Sequence, residues 1–379
     1  MARKLKSDKL LFTATLLLVC TSVVMVYSAS AVIADSMFQN SYLFLFKQLT
    51  FALLGLFLVQ LIMRIDYRKY REPAVIWTFL GIVTIALVAV LFGGARNGAT
   101  RWLNLGGLGI QPSELAKICL IVFMAALLER RMDRIDEPAY ALLPIGAVLA
   151  VIVGLILAEP DLGTAVSVVM IAAVMIFAAG INYKYVAGLA LTAIPTLFVL
   201  IWTSDYRWKR VTAFLDPWTD PLGSGFQVIQ SMIAVGTGGI FGRGLMGGVQ
   251  KLFYLPEPHN DFIFAVISEE LGMIGAMVVI ASFCVITWRG LRTALRAPDR
   301  FGAFLALGLT TMVAFQAFFN ISVVLGILPT KGIPLPFVSY GGSSLLINLV
   351  GMGILLNVSQ HASGSHHVVT TALPTTADA

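Results

Sequence analysis

Ten apolar stretches follow one another along the chain, each near the 20 residues a helix needs to cross a hydrocarbon layer about 30 Å thick. They fall at 10–32, 43–63, 73–92, 112–129, 141–158, 162–180, 184–203, 262–288, 302–328 and 341–358, and predict an all-α, polytopic membrane protein of about ten transmembrane helices. A backbone immersed in lipid must satisfy its own N–H and C=O groups, which makes the helix the element for runs of this length. Most of the polar gaps between the runs are short, and one is far longer than the others. Residues 204–261, between the seventh and eighth spans, form a segment rich in Trp, Pro and Gly. Connections that long are usually functional.

Charge sets the orientation. With the amino terminus in the cytoplasm, the basic clusters Arg3, Lys4, Lys6 and Lys9; Arg64, Arg68, Lys69 and Arg71; Arg130, Arg131 and Arg134; Lys184; and Arg289, Arg292, Arg296 and Arg300 all fall inside, 16 of the 26 Lys and Arg. The positive-inside rule then predicts both termini cytoplasmic and residues 204–261 extracytoplasmic. Composition agrees: 58% hydrophobic and 12% charged residues, with a mean hydropathy of +0.87, leave too little polar surface for a water-soluble fold. The net charge of +6 does not point to nucleic acid, because the basic residues sit in short clusters rather than in one stripe. Cys20, Cys119 and Cys284 all lie inside apolar runs, without metal-ligand spacing, and read as small core residues. The first run has a basic start and an "SASA" stretch, but is too long for a cleavable signal peptide. Residues 1–358 are expected to form one membrane domain and 359–379 a disordered cytoplasmic tail.

Four features converge on the outer face. In "NGATRWLNLGGLGIQPSELAK", Pro112, Ser113 and Glu114 mark a helix start and place Glu114 and Lys117 three residues apart on one face. Ions in an apolar helix need partners, and Asp161 in the turn "AEPDLGT" is one candidate for Lys117, either as a structural ion pair or in a direct catalytic role. In "LPEPHNDFIFAVISEELG", Glu257, His259 and Asp261 cluster where the chain re-enters the membrane. A carboxylate there is partly desolvated and suits a general base, or else Asp261 caps the eighth helix. Glu269 and Glu270, about two turns deeper, fit proton-coupled transport or an interhelical hydrogen bond to Gln316 or Asn320. The fourth feature, "LPTKGIPLPFVSYGGSS", is irregular backbone of the sort tolerated at membrane depth only where it is buried or lines a polar cavity, so it is expected to line a substrate cleft.

The glycine-dense stretch 223–248 contains "GRGLMG", which fits G-x-G-x-x-G, but no βαβ unit surrounds it and flexibility is the better reading. Within it "GFQVIQSMIAV" predicts an interfacial helix with Phe226, Ile229 and Ile233 on one face and Gln227 and Gln230 elsewhere. In "DYRWKRV", Arg207, Lys209 and Arg210 beside Tyr206 and Trp208 suit either lipid head groups or the phosphates of a substrate.

These four segments resemble the signature segments of the SEDS family (shape, elongation, division and sporulation), in family order across residues 100–345. The wording of the last, with "FQAFFNISVVLGI" before it, is more similar to the division-type branch, FtsW, than to the elongation-type branch, RodA. The resemblance implies a peptidoglycan glycosyltransferase that polymerises lipid II on the outer face of the bacterial cytoplasmic membrane, at the division septum. It implies Asp261 as the catalytic residue, and Lys117 and Asp161 as the family's lysine and aspartate of the "QPSE" helix and "PDLGT" turn. It also implies a class B penicillin-binding protein transpeptidase and other division proteins as partners. Where the family usually reads "PEAHTDFIF", this chain has Pro258 and Asn260.

Making a β-linked glycan from an α-linked lipid pyrophosphate requires inversion, hence one base and no dedicated acid for so good a leaving group. Positive charge must stand near the departing phosphates, for which Arg101, Arg207, Arg210 and Lys331 are candidates, with Glu257, His259, Gln230 and Ser343 as further substrate contacts. A divalent cation, Mg or Mn, would share that task, although no ligand cluster shows. The rival from another class is a flippase for lipid II that uses Glu269 and Glu270; a third reading is a non-catalytic scaffold.

Overall fold

The computed structural model describes residues 7–93, 101–105, 108–135 and 137–362. Arg3, Lys4 and Lys6, and residues 363–379 of the expected tail, lie outside the described residues.

A helix stands at each of the ten expected positions. In chain order they are α1 Lys9–Phe38, α2 Leu43–Ile62, α3 Pro73–Leu91, α4 Pro112–Arg131, α5 Pro138–Ala158, α6 Leu162–Ala178 and α7 Tyr183–Trp202. Two short helices, α8 Asp205–Leu215 and α9 Phe226–Gly238, precede α10 Ile263–Arg296, α11 Arg300–Val324 and α12 Gly342–Ala362. Six of them, α1, α2, α3, α10, α11 and α12, are long and apolar enough to cross a membrane. The starts follow local chemistry. Pro73, Pro112 and Pro138 occupy first turns, where the missing N–H has no helical partner to lose. Asp8, Asp161, Asn182 and Asp299 accept from backbone N–H groups as caps.

The core runs down the middle of the bundle. Every residue from Ala116 to Ala126 of α4 is buried, as is most of α12. A helix apolar on all sides belongs inside. Small residues let its neighbours close in: a Cβ on Gly308 of α11 would sit 2.7 Å from Ile121 of α4 and 2.8 Å from Met175 of α6. Apolar side chains such as Phe57, Ile85 and Leu191 remain exposed around the rim, as they do on a surface that lipid covers.

Three features differ from the expectation. A two-stranded antiparallel hairpin, β1 Leu103–Leu105 with β2 Leu108–Ile110, interrupts the all-α pattern before α4. Helix α12 continues to Ala362, so residues 359–362 are helix rather than tail. The third is the glycine-dense stretch, which is packed rather than flexible. Helix α10 breaks at Gly272 (φ 66°, ψ −164°), a conformation open in practice to glycine alone. The chain after α9 folds into that break: Met273 N donates to Gly239 O at 2.9 Å, Arg243 N to Glu269 O at 3.0 Å and Gly244 N to Glu270 O at 3.0 Å. A Cβ on Gly238 would lie 1.9 Å from Ser268 O, and one on Gly242 2.1 Å from Glu270 O. These glycines permit backbone to meet backbone, so the carbonyls released by the break are satisfied by the loop. Helix α9 is turned accordingly. It buries Val228, Ile229, Ser231, Ala234 and Gly238, with Ser231 Oγ donating to Val324 O at 2.8 Å, while Ile233 is exposed.

Candidate active site

Residues 255–262 lead from the loop packed in the break to the start of α10, and the loop 330–341 braces them. Tyr340 N donates to His259 O at 2.9 Å, and Ser339 Oγ donates to Asn260 O at 2.7 Å while accepting from Leu335 N at 2.8 Å. Asn320 of α11 uses one amide nitrogen on two carbonyls, Asp261 O and Ile333 O, both at 2.8 Å. His259 is buried in an aromatic nest, its ring centroid 5.0 Å from Phe44 and 5.5 Å from Tyr340. Desolvation pushes its imidazole pKa down, against the pull of Glu257. Asn260 Nδ2 donates to Glu257 Oε2 at 2.6 Å, so the residue that departs from the family's Thr spends its hydrogen bond on Glu257.

Asp261 is thus held by its backbone while its carboxylate stays unengaged. It does not cap α10, whose N-cap position is Phe262 without a side-chain bond. Among the described residues the carboxylate accepts no hydrogen bond and joins no ion pair. Gly332 presses close, where a Cβ would be 2.8 Å from Oδ2. Loss of water lifts the carboxyl pKa to about 6, helped by the charges of Glu257 and Asp161 and opposed by Arg210 and Arg101.

The expected cations gather here from three connections. Lys331, half-buried, has its pKa lowered to about 8 by desolvation; Asp161 opposes that shift, and Arg101, Arg210 and Arg207 reinforce it. Arg210 of α8 donates to Thr330 O at 3.1 Å and Arg101 to Pro160 O at 2.6 Å, so each guanidinium is tied to a loop of the site. Arg207 reaches back to Leu200 O at 3.0 Å. Gln230 is half-buried on α9, and Ser343 Oγ is buried at the start of α12; among the described residues neither hydrogen-bonds another residue of the site.

Asp161 and Lys117 do not form the expected pair. Lys117 Nζ bonds Glu114 Oε1 at 2.7 Å within α4, and Glu114 Oε2 accepts from Ser344 at 3.4 Å. The i,i+3 geometry puts a carboxylate on the ammonium's own helix face, so no second helix is needed. Asp161 instead caps α6, accepting from Thr164 Oγ1 at 2.7 Å and Gln111 Nε2 at 3.3 Å. Its neighbour Glu159, which sequence reasoning passed over, is fully buried with both carboxylate oxygens lacking partners among the described residues. Burial and the charge of Asp161 push its pKa up to about 8. The signal was present in a carboxylate directly before a Pro-Asp turn.

Glu269 and Glu270 do not bond Gln316 or Asn320. Glu270 pairs with the buried Lys251 at 2.6 Å and accepts from Ser28 of α1 at 2.7 Å and from Met246 N at 3.0 Å. Glu269 accepts from Val249 N at 2.8 Å and Gln250 N at 3.2 Å, with Arg243 3.8 Å away. The loop in the helix break and Ser28 of α1 reach them, and α11 does not. Among the described residues no three of His, Cys, Asp and Glu come together as metal ligands would. Among the described residues, the acidic groups around Asp261 form no cage for a divalent cation.

A family model for cell cycle proteins of the FtsW, RodA and SpoVE type matches residues 8–364. The probable peptidoglycan glycosyltransferase FtsW of Geobacter sp. (strain M18) is 45% identical over 361 residues, 94% of this chain and 98% of its own length. Stage V sporulation protein E of Bacillus subtilis (strain 168) is 45% identical over 366 residues, 95% of this chain and 99% of its own. Among solved structures, a chain from a peptidoglycan synthase complex that coordinates polymerization and crosslinking matches with a TM-score of 0.78 at 32% identity, covering 95% of this chain and 99% of that one. The rod shape determining protein RodA of Thermus thermophilus matches with a TM-score of 0.70 at 28% identity, covering 94% and 97%. The chain therefore belongs to the SEDS family of FtsW, RodA and SpoVE cell cycle proteins.

Proposed function

We propose that this protein is a peptidoglycan glycosyltransferase that joins lipid II units into glycan strands, with Asp261 as the general base. The observation that carries the reading is a carboxylate whose pKa is raised by loss of water, without a partner among the described residues, and felt by the charges of Arg210 and Arg101, which also act on Lys331. In the reaction Asp261 takes the proton of the acceptor sugar hydroxyl as that oxygen attacks the anomeric carbon of the donor. The bond to the lipid pyrophosphate breaks on the opposite side, inverting the centre, and the cations balance the charge that develops on the departing phosphates. A pKa near 6 leaves the base ionised at neutral pH yet stronger than an ordinary aspartate.

The same reading takes the ten helices as ten membrane crossings with both termini in the cytoplasm. The site connections then share one face: Arg101, Glu159 to Asp161, Arg210, Asp261 and Lys331 belong to loops expected outside. The loops expected inside meet elsewhere, with Tyr67 Oη and Arg68 Nε on Asp299 at 2.6 and 3.0 Å. The partner inferred is a class B penicillin-binding protein transpeptidase at the division septum; the match to a chain of a peptidoglycan synthase complex supports this reading. The flippase reading loses its main support, because Glu269 and Glu270 are saturated by the loop and by Lys251.

Purified protein, alone or with its transpeptidase, is expected to convert lipid II into glycan chains. Asp261→Asn should abolish product while leaving chromatographic behaviour and thermal unfolding intact. Polymer formed at the normal rate by Asp261→Asn would overturn the assignment.

A further inference from the structure

At the end of the bundle opposite Asp261, the last turns of α10 and α12 and the start of α1 enclose a cleft of about 210 Å³. Its floor is small and buried: Thr293, Ser359 and Ala362. One wall is fixed by Asp8, which binds Arg289 through Nε at 2.6 Å and Nη2 at 2.5 Å. The backbone N–H of Asp8 donates to Ser359 Oγ at 3.3 Å, locking α1 to α12. The other wall carries Arg292 and Arg296. Neither has a hydrogen bond or a carboxylate within reach among the described residues. Among the described residues, three guanidinium groups stand against one carboxylate, an excess of two positive charges.

Arginines at an inner membrane face are ordinarily no more than the solvated mark of the positive-inside rule. Here two further observations point to a ligand. Arg289, Arg292 and Arg296 are spaced i, i+3 and i+7, one above another on a single helix face. Immediately before each stands an exposed apolar residue, Trp288 at 57%, Leu291 at 41% and Leu295 at 87% exposure, forming a parallel ridge about 100° round the helix. Trp288 also lies beside the Arg289 guanidinium, 5.5 Å from ring centroid to Cζ, in the position of an interfacial anchor. A cationic cleft with a fixed floor, bordered by a lipid-facing ridge on the same helix, has the two halves of a phospholipid site. Guanidinium forks match phosphate oxygens, and the ridge matches acyl chains.

We propose that this cleft binds the phosphate of an anionic phospholipid, with Arg292 and Arg296 as the head-group ligands and Trp288, Leu291 and Leu295 bedding the chains. Two spare charges suit a head group with two phosphodiesters, as in diphosphatidylglycerol. The site is independent of the glycosyltransferase reading, since it lies at the other end of the bundle.

Native mass spectrometry of the full chain in detergent, titrated with diphosphatidylglycerol or phosphatidylcholine, tests it. The anionic lipid is expected to bind on the order of 10-fold or more tightly than the zwitterionic one, and Arg292→Gln/Arg296→Gln to lose on the order of 10- to 30-fold of that affinity. Arg64→Gln/Lys69→Gln, which removes the same charge from exposed positions outside the cleft, should stay within about twofold. Equal losses in both double variants, or no loss in the first, would overturn the site. Displacement of the lipid by inorganic phosphate at matched ionic strength would overturn the phospholipid and leave a free-anion site. Melting in phosphatidylcholine micelles checks that each variant is folded. Should the glutamine pair fail that check, Arg292→Lys/Arg296→Lys keeps the charge without the fork, and undiminished binding there would refute the ligand roles.

Discussion

Asp261 and the pair Glu269 and Glu270 belong to one stretch of chain, yet they end in opposite states. Glu270 has an ammonium, a hydroxyl and a backbone N–H around it, and Glu269 has two backbone N–H groups and a guanidinium nearby. Asp261 has no partner for its carboxylate among the described residues; its backbone carbonyl takes the support instead, from Asn320. A buried carboxylate that serves structure is stabilised by filling its lone pairs. One that must accept a proton has to be held without being neutralised, and bracing the backbone does this. On the proposed reading, the contrast leaves an electrostatic cost on a group whose chemistry would use it.

The sharpest way to break the contrast is to take from Glu270 the ammonium that neutralises it. Lys251→Ala removes the buried ammonium and strands a carboxylate in the helix break, at a cost of about 3–5 kcal/mol. Thermal unfolding should fall well below the parent, because the clasp also secures the loop that caps the broken helix. Asp261→Asn should melt at or above the parent, since it removes a charge that burial disfavours. If Lys251→Ala unfolds where the parent does, the two carboxylate regions do not differ in the way described.

How much of this was legible in the chain differs between its two levels. The ten helices were readable because a lipid-facing helix writes its length into an unbroken apolar run, as in 73–92 and 302–328. The site residues were readable as residues, because charges beside apolar runs are conspicuous. Their partners were not. Asp161 is a candidate partner for Lys117 in the sequence, yet among the described residues only Glu114, three residues away, bonds it; α11 is a candidate partner for the deep glutamates, yet a loop and α1 reach them. Pairing depends on which backbone can approach, and that was settled by Gly272, Gly242 and Gly238, whose role is the absence of a side chain. A residue that acts by what it lacks leaves no polar or apolar signal, so the dense glycines read as flexibility. The family motifs marked the positions of the chemistry but not the clasp through Ser28 and Lys251, which binds α1 to the loop.

A smaller effect is expected where Asp261 is loosened rather than removed. Asn320→Ala withdraws the amide shared by Asp261 O and Ile333 O and unties the base from the 330–341 loop. Two buried carbonyls lose their donor, a stability cost of about 1–3 kcal/mol. The turnover of lipid II should drop more steeply than the melting temperature suggests, by on the order of 10- to 100-fold, because a misplaced base loses geometry as well as strength. Measuring both quantities on one preparation separates positioning from folding. A rate that falls only in proportion to unfolded protein would reduce Asn320 to a structural residue.

The mildest perturbation is of protons alone. Asp261 must be ionised to act as base, so the rate should rise with pH through about 6, while Lys331 must be protonated to hold phosphate charge, so the rate should decline through about 8. The result is a bell with its maximum near neutrality. Glu159 also titrates near 8, and ionising it would place another negative charge beside Asp161 where the leaving phosphates need cations. The two assignments of the alkaline limb part in Lys331→Arg, whose guanidinium stays charged across the range. If Lys331 owns the limb, the variant keeps its acid limb at about 6 and extends its plateau to higher pH. If the alkaline limb stays put, the cation at 331 is not what titrates there, and the neutral state of Glu159 becomes the property that the buried turn before α6 protects.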